Sequence, residues 1–437
     1  MAQYVPNTKS EQLKMLEEIG KTWNDLLKPI PQSVRLNREL DLPPGISEFE
    51  VMARMSAYAK ENKVFPTVLR GAGAYRHLIP SVVRHLSSRE EFVTAYTPYQ
   101  AEFSQGILQS IFEYQTMICQ LTGMDASNAS VYDGASAVAE AVNMTVDKKR
   151  RRALLSSNLD PQSIMTVQTY TQHLPIDVEI IPSKDGRLDL EWLKSNLSED
   201  LACVVVQHPN YYGILEDTQA ISDVVHTTKA KMIVSVNPIS LALFKEPRAY
   251  GADIAVGEAQ PLGLNIAFGG PYLGFMATTN EIVRKLPGRI VGQTLDLDGK
   301  RAFVLTLQAR EQHIRREKAS SSLCSNQAHC ALTAAMYLTS MGPQGLKDVA
   351  SQCYHKAHFL QKQLSALDFK LKFHQPFFHE FVTTTPVHTS KIVQHLEQHD
   401  ILAGLPLDDH TMLWCVTEAV SDKEIHTVLR LLEEVSK

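Results

Sequence analysis

Residues 202–237 read ACVVVQHPNYYGILEDTQAISDVVHTTKAKMIVSVN. Two short β-branched runs, Ala202–Gln207 and Met232–Val236, flank a helix-like segment, Thr218–Lys229. Near-continuous apolar strands separated by an amphipathic helix predict parallel strands joined by a crossover, buried on both faces. The pattern extends in both directions. Further strands are expected at Ala153–Ser157, Val178–Pro182, Asp253–Val256 and Gly274–Thr278, and a further helix at Leu190–Leu197. The fold class is therefore α/β, with a mainly parallel sheet between helices. Ligands of such sheets bind at the carboxyl ends of the strands. His208-Pro209-Asn210-Tyr211-Tyr212 and Asn237-Pro238 each directly follow a strand and become candidate binding edges.

Upstream, Thr94–Ala137 combines an aromatic loop, Tyr96-Thr97-Pro98-Tyr99-Gln100, with a helix-like run and a small-residue turn, Asn128–Ala137. Tyr and Gln join apolar area to a hydrogen-bonding tip, and Pro stiffens the loop, which suits a pocket wall. The turn Tyr132-Asp133-Gly134-Ala135-Ser136 precedes another helical run and can present backbone N–H groups to an anion. A capped helix start is the plainer reading of the same residues.

Composition narrows the class. With 44% apolar and 21% charged residues, the 437-residue chain is an ordinary globular protein large enough for more than one domain. A net charge of −5 gives no footprint for nucleic acid, and Lys148–Arg152 reads as a solvated helix end. Cys119, Cys203, Cys324, Cys330, Cys353 and Cys415 are scattered with no Cys-x-x-Cys, so neither zinc nor a disulfide framework is expected. No long apolar span or signal pattern marks the N-terminus, so a cytoplasmic protein without a membrane segment is expected. Thr8 and Glu11 form a candidate capping box for a helix with Leu13, Leu16 and Ile19 on one side. The expected organisation is an N-terminal helical arm (1–90), a large α/β domain (91–325) and a smaller C-terminal α+β domain (326–437). In the last, strands are expected at Phe369–Phe373, Glu380–Thr384 and Met412–Val416 after an apolar helix from Gln327 to about Thr339.

Other motifs favour structural readings. Gly71-Ala72-Gly73 lacks the third glycine of a dinucleotide fingerprint and reads as a turn. His355 and His358 have helical spacing but no carboxylate motif beside them, which favours an exposed face over a metal site. Ser320-Ser321-Ser322 carries no nucleophile elbow. The helical stretch Gln308–Lys318 alternates in charge, so ion pairing is favoured over a phosphate clamp. Phe268-Gly269-Gly270-Pro271 is either a tight turn or a place of close backbone approach to a cofactor.

Six strings identify a wider resemblance: TAYTPYQAEFSQG (94–106), EYQTMICQLTGMDASNASVYDGASA (113–137), YGADIAVGEAQPLG (250–263), FGGPYLGFMA (268–277), LPGRIVGQTLDLDGKRAFVLTLQAREQHIRREKA (286–319) and PFFHEF (376–381). Together they resemble the P-protein family of the glycine cleavage system, in its two-subunit form the first, or α, subunit of glycine decarboxylase. Departures are the serine-rich run Ser320–Asn326 and His379, where the family commonly has asparagine. The resemblance implies the aminotransferase-like fold type I of pyridoxal-phosphate (PLP) enzymes. It also implies an oxidoreductase, glycine dehydrogenase (decarboxylating, aminomethyl-transferring). Glycine is decarboxylated on PLP, and its aminomethyl group passes to the lipoyl disulfide of H-protein, which is thereby reduced.

Against that family pattern this chain lacks the cofactor's covalent anchor. The lysine position falls on Gln260 or Pro261, and the usual acidic position near Val234–Asn237 contains no acid. The expectation is a degenerate pocket with Asp133, Gly134, Ser136, Asn237 and Gln260 as its relics, no metal, and PLP bound by the partner subunit. Lys231 and Lys245, the nearest lysines, suit solvent exposure. The resemblance implies an α2β2 assembly with the PLP-bearing second subunit. Tyr96, Tyr99 and Gln100 are then candidates for reaching the partner's site; interface packing is an equal reading for Tyr99. The competing function is a non-catalytic structural or regulatory scaffold for the catalytic subunit. An independent PLP aminotransferase is disfavoured by Gln260-Pro261.

Overall fold

The central sheet of this computed structural model has seven strands: β1 (Ala126–Ser127), β2 (Arg152–Ser156), β3 (Asp177–Ile181), β4 (Leu201–Gln207), β5 (Lys231–Ser235), β6 (Ile254–Glu258) and β7 (Gly274–Thr278). They lie in the order β1-β7-β6-β5-β4-β2-β3. Strands β2 to β6 are mutually parallel, while β7 runs antiparallel to β6 and β1 antiparallel to β7. Alternation along β4 and β5 explains why both faces must be covered. Val204, Val206, Met232 and Val234 join one core cluster; Cys203, Val205 and Ile233 join the other. All are at or near zero exposure, and each such aliphatic side chain contributes about 1.5–3 kcal/mol by leaving water.

The structure describes residues 7–319, 321–324 and 327–437. The chain divides into two compact units between Lys63 and Val64. The first carries α1 (Lys9–Glu18), α2 (Trp23–Leu27) and α3 (Glu48–Glu61). The Glu11 carboxylate accepts the Thr8 backbone N–H at 2.8 Å, as the capping pattern predicts. Leu16 is buried, but Leu13 and Ile19 are exposed, as are Trp23, Phe49 and Met52.

In the second unit, α4 (Gln105–Thr122), α5 (Gly134–Thr145), α6 (Pro161–Thr171), α7 (Leu190–Ser195) and α8 (Thr218–Val225) cover the sheet. Ala137, Val138, Ala141 and Val142 of α5 enter one core cluster; Tyr114 and Ile118 of α4 enter the other. A long helix, α9 (Ala328–Ser365), links the two cores. Ala331, Ala334 and Tyr337 pack on the large sheet, whereas Ala357, Leu360 and Leu364 pack in the C-terminal core. Gly342, at φ 62° and followed by Pro343, kinks it between these halves.

The C-terminal core is completed by α10 (Thr389–Gln398), α11 (Asp422–Ser436) and an antiparallel sheet of β8 (Glu380–Thr384), β9 (Leu405–Asp408) and β10 (Thr411–Cys415), ordered β8-β10-β9. The strand expected at Phe369–Phe373 is not formed. Phe369 is buried, but regular pairing reduces to one bridge between Leu371 and Thr383. The segment after Lys63 is stitched to this region: Thr67 and Val68 pair in parallel with Ile401 and Leu402, and Leu69 enters its core. A second correction concerns Gln308–Lys318, which is three short helical turns rather than one helix. Leu307 and Arg316 adopt positive φ, and the buried Arg310 guanidinium donates to the Leu286 and Gly288 carbonyls. Among the described residues no helix is long and apolar enough to cross a membrane.

Candidate functional site

Parallel strands end with their carboxyl ends on one edge, and a cavity of about 410 Å³ opens there. Gln207 closes β4, Ser235 closes β5 with Asn237 just beyond, and Glu258 closes β6. Asp133, Gly134 and Ser136 enter from the start of α5, and Asp160 from the start of α6. The turn Ala72–Tyr75 forms the opposite wall. Of the predicted pocket relics, Asp133, Gly134, Ser136 and Asn237 line this cavity together. Among the described residues that line it there is no lysine or arginine, while Asp133, Asp160 and Glu258 supply three carboxyl groups.

Gln260 lies just behind the wall, 1% exposed. Its Oε1 accepts the Tyr75 N–H at 2.9 Å, and its Nε2 donates to the carbonyls of Tyr75 at 2.9 Å and Leu264 at 2.7 Å. Pro261 is buried in the turn that follows. Neither position offers a free nucleophile. Lys245 is exposed, whereas Lys231, expected in solvent, is half-buried: it starts β5 and pairs at 3.0 Å with Asp253, which directly precedes the neighbouring parallel strand β6, both at the sheet's opposite end.

The Gly71–Gly73 turn is structural, as expected, and also part of the wall. A Cβ at Gly71 would lie 2.4 Å from Glu380 Oε1 and 2.7 Å from the Tyr75 ring, and Gly73 has φ 106°. Glu380 accepts from Ala72 N and Tyr75 Oη, each at 2.7 Å. Complete burial raises its carboxyl to about 7, against the pull of those donors. His379 packs against Tyr75 at a tilt of 42°, with ring centres 4.7 Å apart, and burial holds its pKa well below the usual histidine range. Glu258 accepts from the N–H groups of Gly134, Gln260 and Leu273; burial nevertheless raises it to about 7.

Other expected residues lie elsewhere. His208–Tyr212 does not line the cavity; the buried Asn210 side chain braces its loop through Gly186 and Glu216, each at 2.8 Å. Phe268 is exposed at φ 41°, and none of Phe268–Pro271 lines the cavity, although Tyr272 directly after them does. His355 is exposed, but His358 is half-buried against Phe377, with ring centres 3.9 Å apart. Tyr96 is 99% exposed and, with Gln100, borders a separate groove of about 460 Å³. Tyr99 instead packs beside a core cluster, under the Arg289 guanidinium at 5.3 Å. Within the serine-rich run, Ser321 donates to Glu140 at 2.8 Å; Ser320, Ser325 and Asn326 lie outside the described residues.

Sequence reasoning missed Glu258, Glu380, Tyr75 and Asp160. For Glu258 a signal existed: an acid directly after an apolar strand, on the sheet's binding edge. It also missed a buried set, His77, Cys353 and Glu418, in which His77 Nδ1 and Glu418 Oε2 are 2.7 Å apart.

Comparison with known proteins is consistent along the whole chain. Residues 2–432 match the family described as glycine cleavage system P-protein. The probable glycine dehydrogenase (decarboxylating) subunit 1 of Moorella thermoacetica is 48% identical, covering 99% of each chain. A crystal structure of glycine decarboxylase (P-protein) in inhibitor-bound form superposes with a TM-score of 0.92 at 38% identity, covering 99% of this chain and 100% of that one. Sphingosine-1-phosphate lyase of Burkholderia pseudomallei shares the fold alone, with a TM-score of 0.68 at 13% identity over 93% of this chain and 94% of that one. The architecture is that of fold type I PLP-dependent enzymes, and the chain belongs to the glycine cleavage system P-protein family.

Proposed function

We propose that this chain is the first subunit of a two-subunit glycine dehydrogenase (decarboxylating), an obligatory member of the enzyme that does not itself hold PLP. The observation that carries this reading is the cavity at the fold's cofactor edge, whose lining holds three carboxyl groups and, among the described residues, no lysine or arginine. The family pattern, which puts the lysine position at Gln260 or Pro261, supports it. PLP carries an aldehyde that needs a lysine amine and a phosphate that needs cationic or N–H donors. The cavity offers three carboxyl groups and no cationic side chain, so the residues present do not fit PLP.

The partner is then the PLP-bearing second subunit, in an α2β2 assembly in the cytoplasm. That complex decarboxylates glycine and passes the aminomethyl group to lipoyl H-protein. The exposed side chains of Tyr96, Gln100 and Phe103 are the part of the loop free to meet the partner. The test is reconstitution of the full chain with the second subunit. The complex should exchange labelled carbon dioxide with the carboxyl group of glycine, and the second subunit alone should not. Equal exchange without this chain would leave only the scaffold reading.

A further inference from the structure

Glu258 sits where the turn Asn128–Ala137 would otherwise present N–H groups to an anion. Its Oε2 accepts the Gly134 N–H at 2.9 Å, and its Oε1 accepts those of Gln260 at 2.9 Å and Leu273 at 3.0 Å. Gly134 begins the 12-residue helix α5, and the Ser136 N–H is taken by Asp133 Oδ1 at 2.7 Å. Two of the first three N–H groups of α5 therefore already bind carboxylates of this chain. The fit is close: a Cβ at Gly134 would lie 2.9 Å from both the Cβ and the backbone N of Glu258.

We propose that Glu258 is a built-in anion that takes the place of a phosphate at the start of α5 and makes this cavity selective against phosphorylated ligands, PLP among them. The proposal rests on the degenerate-pocket reading and deepens it. Loss of the lysine removes covalent attachment only; a phosphate could still be held by N–H groups and the helix dipole. Glu258 consumes those donors and, with Asp133 and Asp160, sets negative charge against a group carrying about −1.5 to −2.

The test uses the full chain with inorganic phosphate, PLP and pyridoxal as probes, read by calorimetry and thermal melting. Glu258→Ala frees three N–H groups and removes the charge; Glu258→Gln removes the charge but keeps an acceptor oxygen. Folded variants should bind phosphate and PLP at least about tenfold tighter than the native chain, with no gain for pyridoxal. A folded variant with unchanged affinity for phosphate overturns the proposal. The native chain supplies a reading that needs no variant. Protonation of Glu258, which faces Asp133, Tyr114 and Cys330, should let phosphate raise the melting temperature only as pH falls through about 7. Protection by phosphate at about pH 8, where the carboxylate is ionised, overturns the proposal whatever the variants do. Ligand binding is measured without the partner, so this proposal and the carbon dioxide exchange reading can each fail alone.

Discussion

Gln260 holds the backbone of Tyr75 from both sides, accepting its N–H and donating to its carbonyl, each at 2.9 Å. A carboxamide is the side chain that can do both, and the pair closes a contact between segments 185 residues apart. Installing a lysine therefore removes an acceptor and buries a charge. Gln260→Lys should lose about 2–4 kcal/mol of stability and gain no visible absorbance with PLP. Denaturant unfolding and an absorbance spectrum check both halves; a stable variant with a borohydride-reducible band would contradict them.

The two tyrosines of one loop have opposite environments, so their substitutions should separate. Tyr99→Ala empties a half-buried site under Arg289 and should destabilise the isolated chain by about 2–4 kcal/mol. Tyr96→Ala, at a fully exposed side chain, should change stability by less than about 0.5 kcal/mol. Its effect is expected in assembly instead: weaker association with the second subunit by sedimentation, with the melting curve unmoved.

What the sequence made legible follows physical range. Strands β2 to β7 were readable because each is a short apolar run whose periodicity is local. Asp133, Gly134 and Ser136 were legible as a helix start because capping is also local. The partners that close the cavity were not. Glu380 meets Ala72 across 308 residues, and Glu258 meets Gly134 across 124. Such contacts depend on how β6, β8 and the segment after Lys63 converge, which no local pattern encodes. The failed strand at Phe369–Phe373 shows the converse: alternation buried Phe369 without recruiting a continuous backbone partner.

Gly71 should tolerate no side chain. An added methyl group would meet Glu380 Oε1 at 2.4 Å, the Tyr75 ring at 2.7 Å and Cys415 Sγ at 2.8 Å, all belonging to buried side chains that cannot swing away. Gly71→Ala is expected to lower stability by about 1–3 kcal/mol and to loosen the cavity wall. Urea unfolding gives the first quantity, and amide hydrogen exchange at Ala72 and Tyr75 gives the second.

Stability should fall as pH rises through neutrality. Burial raises Glu258 and Glu380 from the ordinary 4.5 to about 7, so between those values the native chain keeps protons that the unfolded chain has released. Their contribution is complete below about 4.5 and is lost as pH climbs through about 7. Glu418 has the opposite sign: burial pushes it up, but the bond to His77 prevails, and its folded pKa is lowered. Its contribution is present above the ordinary value and is lost only at more acidic pH, outside the same window. Buried His379 and His208, the latter lowered to about 4, oppose this below the ordinary histidine value of 6.5, where the unfolded chain binds protons that the native one does not. Melting temperature should therefore decline from about pH 6.5 to about pH 8, and Glu380→Gln, which can still accept from Ala72, should flatten part of that slope. The part carried by Glu380 amounts to about 1–3 kcal/mol. An unchanged slope in Glu380→Gln would show that its carboxyl stays ionised throughout.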